Sequence, residues 1–375
     1  MKPKFTVHIY TPQELNHSSY VQTGLFELEH NGFLETKVVL SFKKRLGSIH
    51  IKNSVVEHIN TPHPKTSFYK LINHQNGKTV HFATDLYDAS YSFSKYALDH
   101  CDFVFKRNYE SKYVTQLPDA YQKKLHPLGW CFGVHSTYKK SNLKFYIGLL
   151  LSNVLLNIKT DRHFFIRILK TIQQQKKHWK FINTTRNLQS FDRQPTPPEN
   201  DYIVFQTRCF VHENELALKE LHQQRYQIIK LLQQHFPDQF KGGFIPTAIA
   251  KQKYNDALTN LPTDPASYLA LVKASKIGIY TQGIQDSPAW KMAEYLSQGK
   301  VIIAQRFPTE LPMPIENLKE VLIFDKIEEI PDLCKKVFSN KQLASDLSAN
   351  GREYYQLYIS PGRNVKRILN LMLTE

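Results

Sequence analysis

Residues 277–305, IGIYTQGIQDSPAWKMAEYLSQGKVIIAQ, hold the grouping of side chains with the clearest chemical use. An apolar run reads as a buried strand that ends at a loop containing Gly283. Asp286, Ser287 and Pro288 then read as the cap and first turn of a helix that stops at Gly299, where another apolar run begins. Loops at the carboxyl ends of parallel strands bind ligands, and the open N–H groups of a helix start suit a phosphate. Lys291, about one turn into that helix, adds a cation suited to a diphosphate. Glu294 follows Asp286 by eight positions, which on one continuous helix sets the two on a similar face. A carboxylate there can accept two hydrogen bonds from a ribose diol. Trp290 reads either as a packing residue or as a ring on which a base stacks.

The elements that must hold these groups alternate between strand and helix, which implies an α/β fold with parallel sheets. Phe5–Tyr10 reads as a first buried strand, followed by a polar loop and a helix-like stretch from Ser19 through Gly24 to Glu29. LETKVVLSF, KTVHFATDLY and CDFVFKR read as further strands, and SFSKYALDH as a helix. Residues 142–183 break the rhythm: Phe164, Phe165, Ile168, Leu169 and Ile172 fall on one helical face, with Lys and Arg over much of the rest. Pro195, Pro197 and Pro198 mark the best linker, after which the alternation restarts at IVFQTR. Two domains are expected, 1–194 and 195–375, the first including a basic helical segment, 138–193.

The net charge is +16, and residues 138–193 carry 12 basic against 2 acidic side chains, a net +10. Such a surface expects anionic partners. Four scattered cysteines without a C-x-x-C pair argue against a zinc site or a disulfide framework and fit a reducing, cytoplasmic setting. MKPKFTVHIY lacks the apolar run of a signal peptide, and the longest apolar stretch, 145–156, is shorter than a bilayer span of about 20 residues.

An acidic residue, seven others, Glu, then small-x-Gly before a Val/Ile strand resembles the donor-binding signature of retaining glycosyltransferases of the GT-B fold, the glycosyltransferase group 1 or family 4 type. Asp286 and Glu294 fill the acidic positions, the first with Asp in place of Glu; Ser297 and Gly299 follow. The usual proline before the strand is Lys300. The resemblance implies two Rossmann-like domains facing across a cleft and a last helix that packs back on the first domain. It also implies that Glu294 holds the ribose of a nucleotide-sugar donor and that Asp286 lies near the sugar. In that family an Arg ending the first strand of the C-terminal domain grips the diphosphate, and Arg208 is similar. The usual Lys a few residues on is missing; Lys219 and Arg225 lie downstream, and Arg225 is the candidate substitute. Charge developing on the leaving phosphate would then meet fixed N–H groups and Arg208 or Lys291. Retention of configuration, no metal and no cofactor are implied; the chain has no D-x-D triplet.

A glycan or lipid-linked acceptor would meet the first domain. Candidates there are the 17–24 loop with Gly24, the Asp85 and Asp88 pair, and Lys106 with Arg107. Segment 142–183 offers an anionic membrane surface a docking face, so a peripheral location on the inner face of the cell membrane is expected. Plainer roles compete: cap and surface carboxylate for Asp286 and Glu294, a salt-bridged strand end for Arg208, a turn pair for Asp85 and Asp88, and core for the 164–172 face. Two rival functions stand beside the transferase. One is a basic nucleic-acid-binding protein, disfavoured because no nucleic-acid motif accompanies the charge. The other is a sugar-nucleotide epimerase, which can share the fold.

Overall fold

The structure, a computed structural model, describes residues 3–14, 17–138, 147, 163–192, 198, 200–210 and 216–374. The apolar stretch 145–156, apart from residue 147, the prolines at 195 and 197, and the 194/195 boundary lie outside the described residues. Contacts divide the chain into two units: residues 1–190 with 309–313 and 359–375, and residues 191–308 with 314–358.

The first unit is built on β1 (Phe5–Tyr10), β2 (Glu35–Val39), β5 (Thr66–Asn73), β6 (Thr79–Asp85), β8 (Phe103–Lys106) and β9 (Leu125–Pro127), in the order β2-β1-β5-β6-β8-β9. The alternating strand–helix reading implied a parallel sheet, and this is corrected. β5 runs antiparallel to both β1 and β6, while the β1–β2, β6–β8 and β8–β9 pairs are parallel. The reversal arises because a hairpin, not a crossover helix, lies between β2 and β5. β3 (Leu46–Lys52) and β4 (Val55–Pro62) turn at Asn53 and Ser54, both with positive φ, and join β7 (Ser92–Ser94) in a second sheet. The chain therefore re-enters the main sheet at β5 from the opposite end.

Gly24 lies in the helix Ser18–His30 and is buried. A Cβ there would meet the Pro361 carbonyl oxygen at 2.4 Å and Val365 at 2.4 Å. The glycine lets the last helix, Pro361–Thr374, pack flush on the first. Tyr20 Oη donates to the Ile359 carbonyl at 2.5 Å, and Asn364 Nδ2 donates to Tyr20 Oη at 3.1 Å. The acceptor-side expectation for Gly24 is corrected: its missing side chain makes room for another helix of the same unit.

The second unit is a five-stranded parallel sheet in the order β11-β10-β12-β13-β14. Its strands are β10 (Ile203–Thr207), β11 (Phe240–Phe244), β12 (Ile277–Tyr280), β13 (Val301–Gln305) and β14 (Leu322–Phe324). Counted within the unit the order is 2-1-3-4-5, so the winding reverses between β10 and β12. Buried Ile203, Phe205, Ile277, Ile279, Val301 and Ile303 form its core with the helix Leu216–His235 and with Ile330–Ser339. Among the described residues no helix is long and apolar enough to cross a membrane.

Candidate functional site

The switch point of a parallel sheet is where ligands bind, outside the carboxyl ends of the strands that part there. In the second unit those ends are Arg208, the first residue after β10, and residues 281–289 after β12. Arg225 reaches them from the helix Leu216–His235. Its Nη1 donates to the Arg208 carbonyl at 3.2 Å and its Nη2 to the Gln282 carbonyl at 2.9 Å, so one buried guanidinium ties both loops together. Arg208 itself is exposed, and both guanidinium groups sit over the Phe210 ring, at 5.3 and 5.4 Å from its centre. Burial pushes Arg225 down to about 10, and the neighbouring Arg208 charge acts in the same direction.

Lys291 is half-buried, but its ammonium turns inward onto the Gln206 carbonyl, between the rings of Phe205 and Tyr268. Loss of hydration lowers its pKa to about 7; Arg225 and Arg208 lower it too, and Glu294 opposes them. Glu294 is buried in the helix Trp290–Ser297. Arg208, Arg225 and Lys291 thus stand within electrostatic reach of one another, with Glu294 as the carboxylate among them.

The expected helix start is corrected. Proline disfavours helical geometry in the residue before it, and Ser287 is extended (φ −73, ψ 151). The helix begins at Trp290 with Ala289 as its cap, and Tyr280 Oη accepts from the Ala289 N–H at 3.1 Å. Residues 284–286 form a separate turn in which Gln285 and Asp286 both have positive φ. Asp286 and Glu294 therefore do not share a helical face. Asp286 is exposed on the loop and lines a cavity of about 320 Å³ with Leu218, Leu221, Gln224, Gln282 and Gly283. Ser287 is buried; its N–H donates to Ile284 and its carbonyl accepts from Gly283 N–H at 2.8 Å, so the expected phosphate role of its N–H is corrected. Gly283 permits that closure, since a Cβ there would lie 2.8 Å from Ser287 Oγ. Trp290 is half-buried at the helix start. Lys300, in the place of the signature's proline, is buried and donates to the Lys273 carbonyl at 2.7 Å; burial lowers it to about 8.

In the first unit the two carboxylates part company. Asp85 is completely buried and bonded to Lys106 at 3.1 Å; the same ammonium donates to the Ala89 and Ser92 carbonyls, and His63 lies 3.8 Å from Asp85. Burial lowers His63 to about 4, so at neutral pH it is uncharged. An acceptor cannot reach Asp85, and its acceptor-side assignment is corrected to an internal ion pair. Asp88 is partly open. Lys65 donates to it at 2.5 Å and Arg107 donates to its other oxygen. Burial raises its pKa, but those two cations outweigh burial and hold it below the usual carboxylate range. His17, paired with Glu14 at 3.5 Å, feels the same two cations. Asp88, Lys65, Arg107 and His17 therefore form one cluster beyond the carboxyl ends of β6 and β8. Sequence spacing does not single out Lys65, His63 and Gln282, because the partners that give them their roles, Asp88, Asp85 and Arg225, lie 22 or more residues away.

No family profile matches the chain, and no curated protein matches it. Solved structures are similar to it at low identity. One is the C-terminal domain of a glycosyl transferase group 1 family protein, LpcC, from Francisella tularensis, with 13% identity, a TM-score of 0.32, and coverage of 44% of this chain and 95% of that one. Another is HepE of Anabaena in complex with UDP and glucose, with 10% identity, a TM-score of 0.40, and coverage of 75% and 65%. A third is a glycosyltransferase from Rickettsia africae, with 13% identity, a TM-score of 0.35, and coverage of 73% and 76%. Likeness of this depth assigns neither activity nor substrate to this chain.

Proposed function

We propose that the protein is a glycosyltransferase that binds a nucleoside-diphosphate sugar on its second unit and passes the sugar to a glycan or lipid-linked acceptor. The observation that carries the reading is the convergence of Arg208, Arg225 and Lys291 on the switch point of a parallel sheet, with Glu294 as the carboxylate beside them. Three cations crowded together repel one another. A diphosphate relieves that repulsion, and the relief grows as negative charge collects on the leaving phosphate. Glu294 supplies acceptor oxygens for a ribose diol. The cationic side chains take the part that a metal ion plays in other transferases, so the reaction is metal-independent in this reading. The Asp88, Lys65, Arg107 and His17 cluster is the acceptor-side group. A nucleotide sugar offered with and without a mixture of acceptors tests the proposal: nucleoside diphosphate is released only when an acceptor is present. Sugar inversion with no release would favour the epimerase.

The helix Phe164–Thr185 supports a membrane-facing acceptor. Phe165 is 76% and Leu169 58% exposed, and Lys170, Lys176, Lys177 and Lys180 are exposed on the same helix. Apolar side chains at the headgroup boundary with lysines toward anionic lipid is how interfacial helices bind. Replacing Lys176, Lys177 and Lys180 by Glu is expected to weaken binding to phosphatidylserine-containing vesicles by about 1 kcal/mol for each lysine. Cosedimentation measures it, and unchanged binding would return the lysines to a solvated surface.

A further inference from the structure

A second cavity, of about 250 Å³, lies wholly in the first unit and shares no residue with the cation cluster at the switch point. It opens on the sheet face that carries Tyr10 and Phe68, beside the helix Lys95–His100. Its walls are aromatic. Phe68 meets Tyr96 edge-on at 5.5 Å, Tyr96 stacks on His100 at 4.1 Å, and Tyr10, Tyr69 and His81 add further rings to the lining.

Arg45 enters this cavity with its guanidinium 4.3 Å above the Phe68 ring. Nη1 donates to the Thr11 carbonyl at 3.3 Å and Nη2 to Ser41 Oγ at 3.1 Å. Both partners are neutral, and among the described residues no carboxylate lies within ion-pair distance of it. Burial depresses its pKa, and Tyr96, Cys101 and Tyr10 oppose that depression. A guanidinium partly stripped of water beside an open cavity and without a counter-charge is a cost to the fold, and a bound anion offsets it. Lys43 stands exposed in the same lining, and Lys70 and Lys43 both act on His81. The nearby Asp102 carboxylate accepts from the His81 N–H at 2.8 Å.

We infer that this cavity binds a small acidic saccharide, one sugar ring bearing a carboxylate or a phosphate, with the charged group on Arg45 and Lys43 and the ring against Tyr10, Phe68 and Tyr96. Mostly apolar walls with a few convergent polar groups are the usual make-up of a small-ligand site, and this volume suits a single ring. The planar guanidinium, held by Thr11 and Ser41, is oriented in advance for a two-oxygen acid group.

Calorimetric titration of the full chain with glucuronate, glucose 6-phosphate, glucose and inorganic phosphate tests the inference, and the first two tell carboxylate from phosphate. At least one acidic sugar is expected to bind, with glucose and phosphate each about tenfold or more weaker. R45Q and K43Q should each weaken the acidic sugar by about tenfold, with UDP binding unchanged. If R45Q does not fold, K43Q decides alone, because Lys43 is exposed and holds nothing in place. Absence of binding by both acidic sugars, equal binding by inorganic phosphate, or undiminished binding in K43Q would overturn the inference. Failure of UDP to bind would count against the donor site only and leave this site standing.

Discussion

Lys291→Met is expected to weaken nucleoside diphosphate binding by about 2–3 kcal/mol, the loss of one charge-assisted contact in a desolvated site, while raising the thermal midpoint of the free protein. The two effects have one origin. In the folded protein Lys291 is lowered to about 7 by burial and by its arginine neighbours, whereas in the unfolded chain it has the ordinary lysine value. Between those values the unfolded chain holds the proton and the folded one releases it. The penalty is therefore full below pH about 7 and fades as pH rises through that window, so stability rises with pH there. Methionine keeps the length of the side chain and removes the penalty. A diphosphate acts in the opposite sense, holding the proton on Lys291. Binding is then accompanied by proton uptake above pH 7 and weakens as pH rises. Calorimetry in buffers of different ionisation enthalpy, with unfolding scans of the variant, measures both. A less stable variant, or one that binds undiminished, would remove Lys291 from the donor site.

Asp85→Ala is expected to destabilise the first unit by about 3–5 kcal/mol, because it leaves the Lys106 ammonium buried without its counter-charge. Tyr87 N–H also loses its acceptor, Asp85 Oδ1, at 3.1 Å. Adding Lys106→Met should restore most of the loss, since an apolar replacement of a whole buried pair is often neutral. Chemical denaturation of the single and double variants gives both numbers. If Asp85→Ala were as stable as the native chain and lost only transfer activity, Asp85 would belong to the acceptor site after all.

The second unit was readable because its strands are buried on both faces and appear as continuous apolar runs, such as IVFQT and VIIAQ. β11 escaped because FKGGF holds two glycines, which weaken a strand in isolation. In place, Gly242 is required: a Cβ would lie 2.1 Å from the Phe205 carbonyl oxygen. In the first unit the β3–β4 hairpin went unseen although Asn53-Ser54 can supply the left-handed turn, and without it the reversal of β5 could not be foreseen. At the site, residue types were legible and geometry was not. Glu294 and Lys291 could be chosen from spacing, and Arg225 only as the substitute for a lysine missing from the resembled pattern; the bend at Ser287 follows locally from Pro288, whereas the inward turn of Lys291 and the double anchorage of Arg225 depend on atoms distant in sequence. Asp85 and Asp88, three residues apart, looked alike; only packing against Lys106 separates an internal ion pair from a half-open carboxylate.

The most direct test of the donor site is calorimetric titration of the native protein and of Glu294→Ala with UDP, GDP, dTDP and CMP. Alanine is well tolerated in a helix, so the variant should fold. One nucleotide is expected to bind the native protein and to lose about tenfold or more in affinity in the variant, through the ribose hydrogen bonds to Glu294. If none of the four binds the native protein, or if one binds both proteins equally, the account of the donor site is wrong.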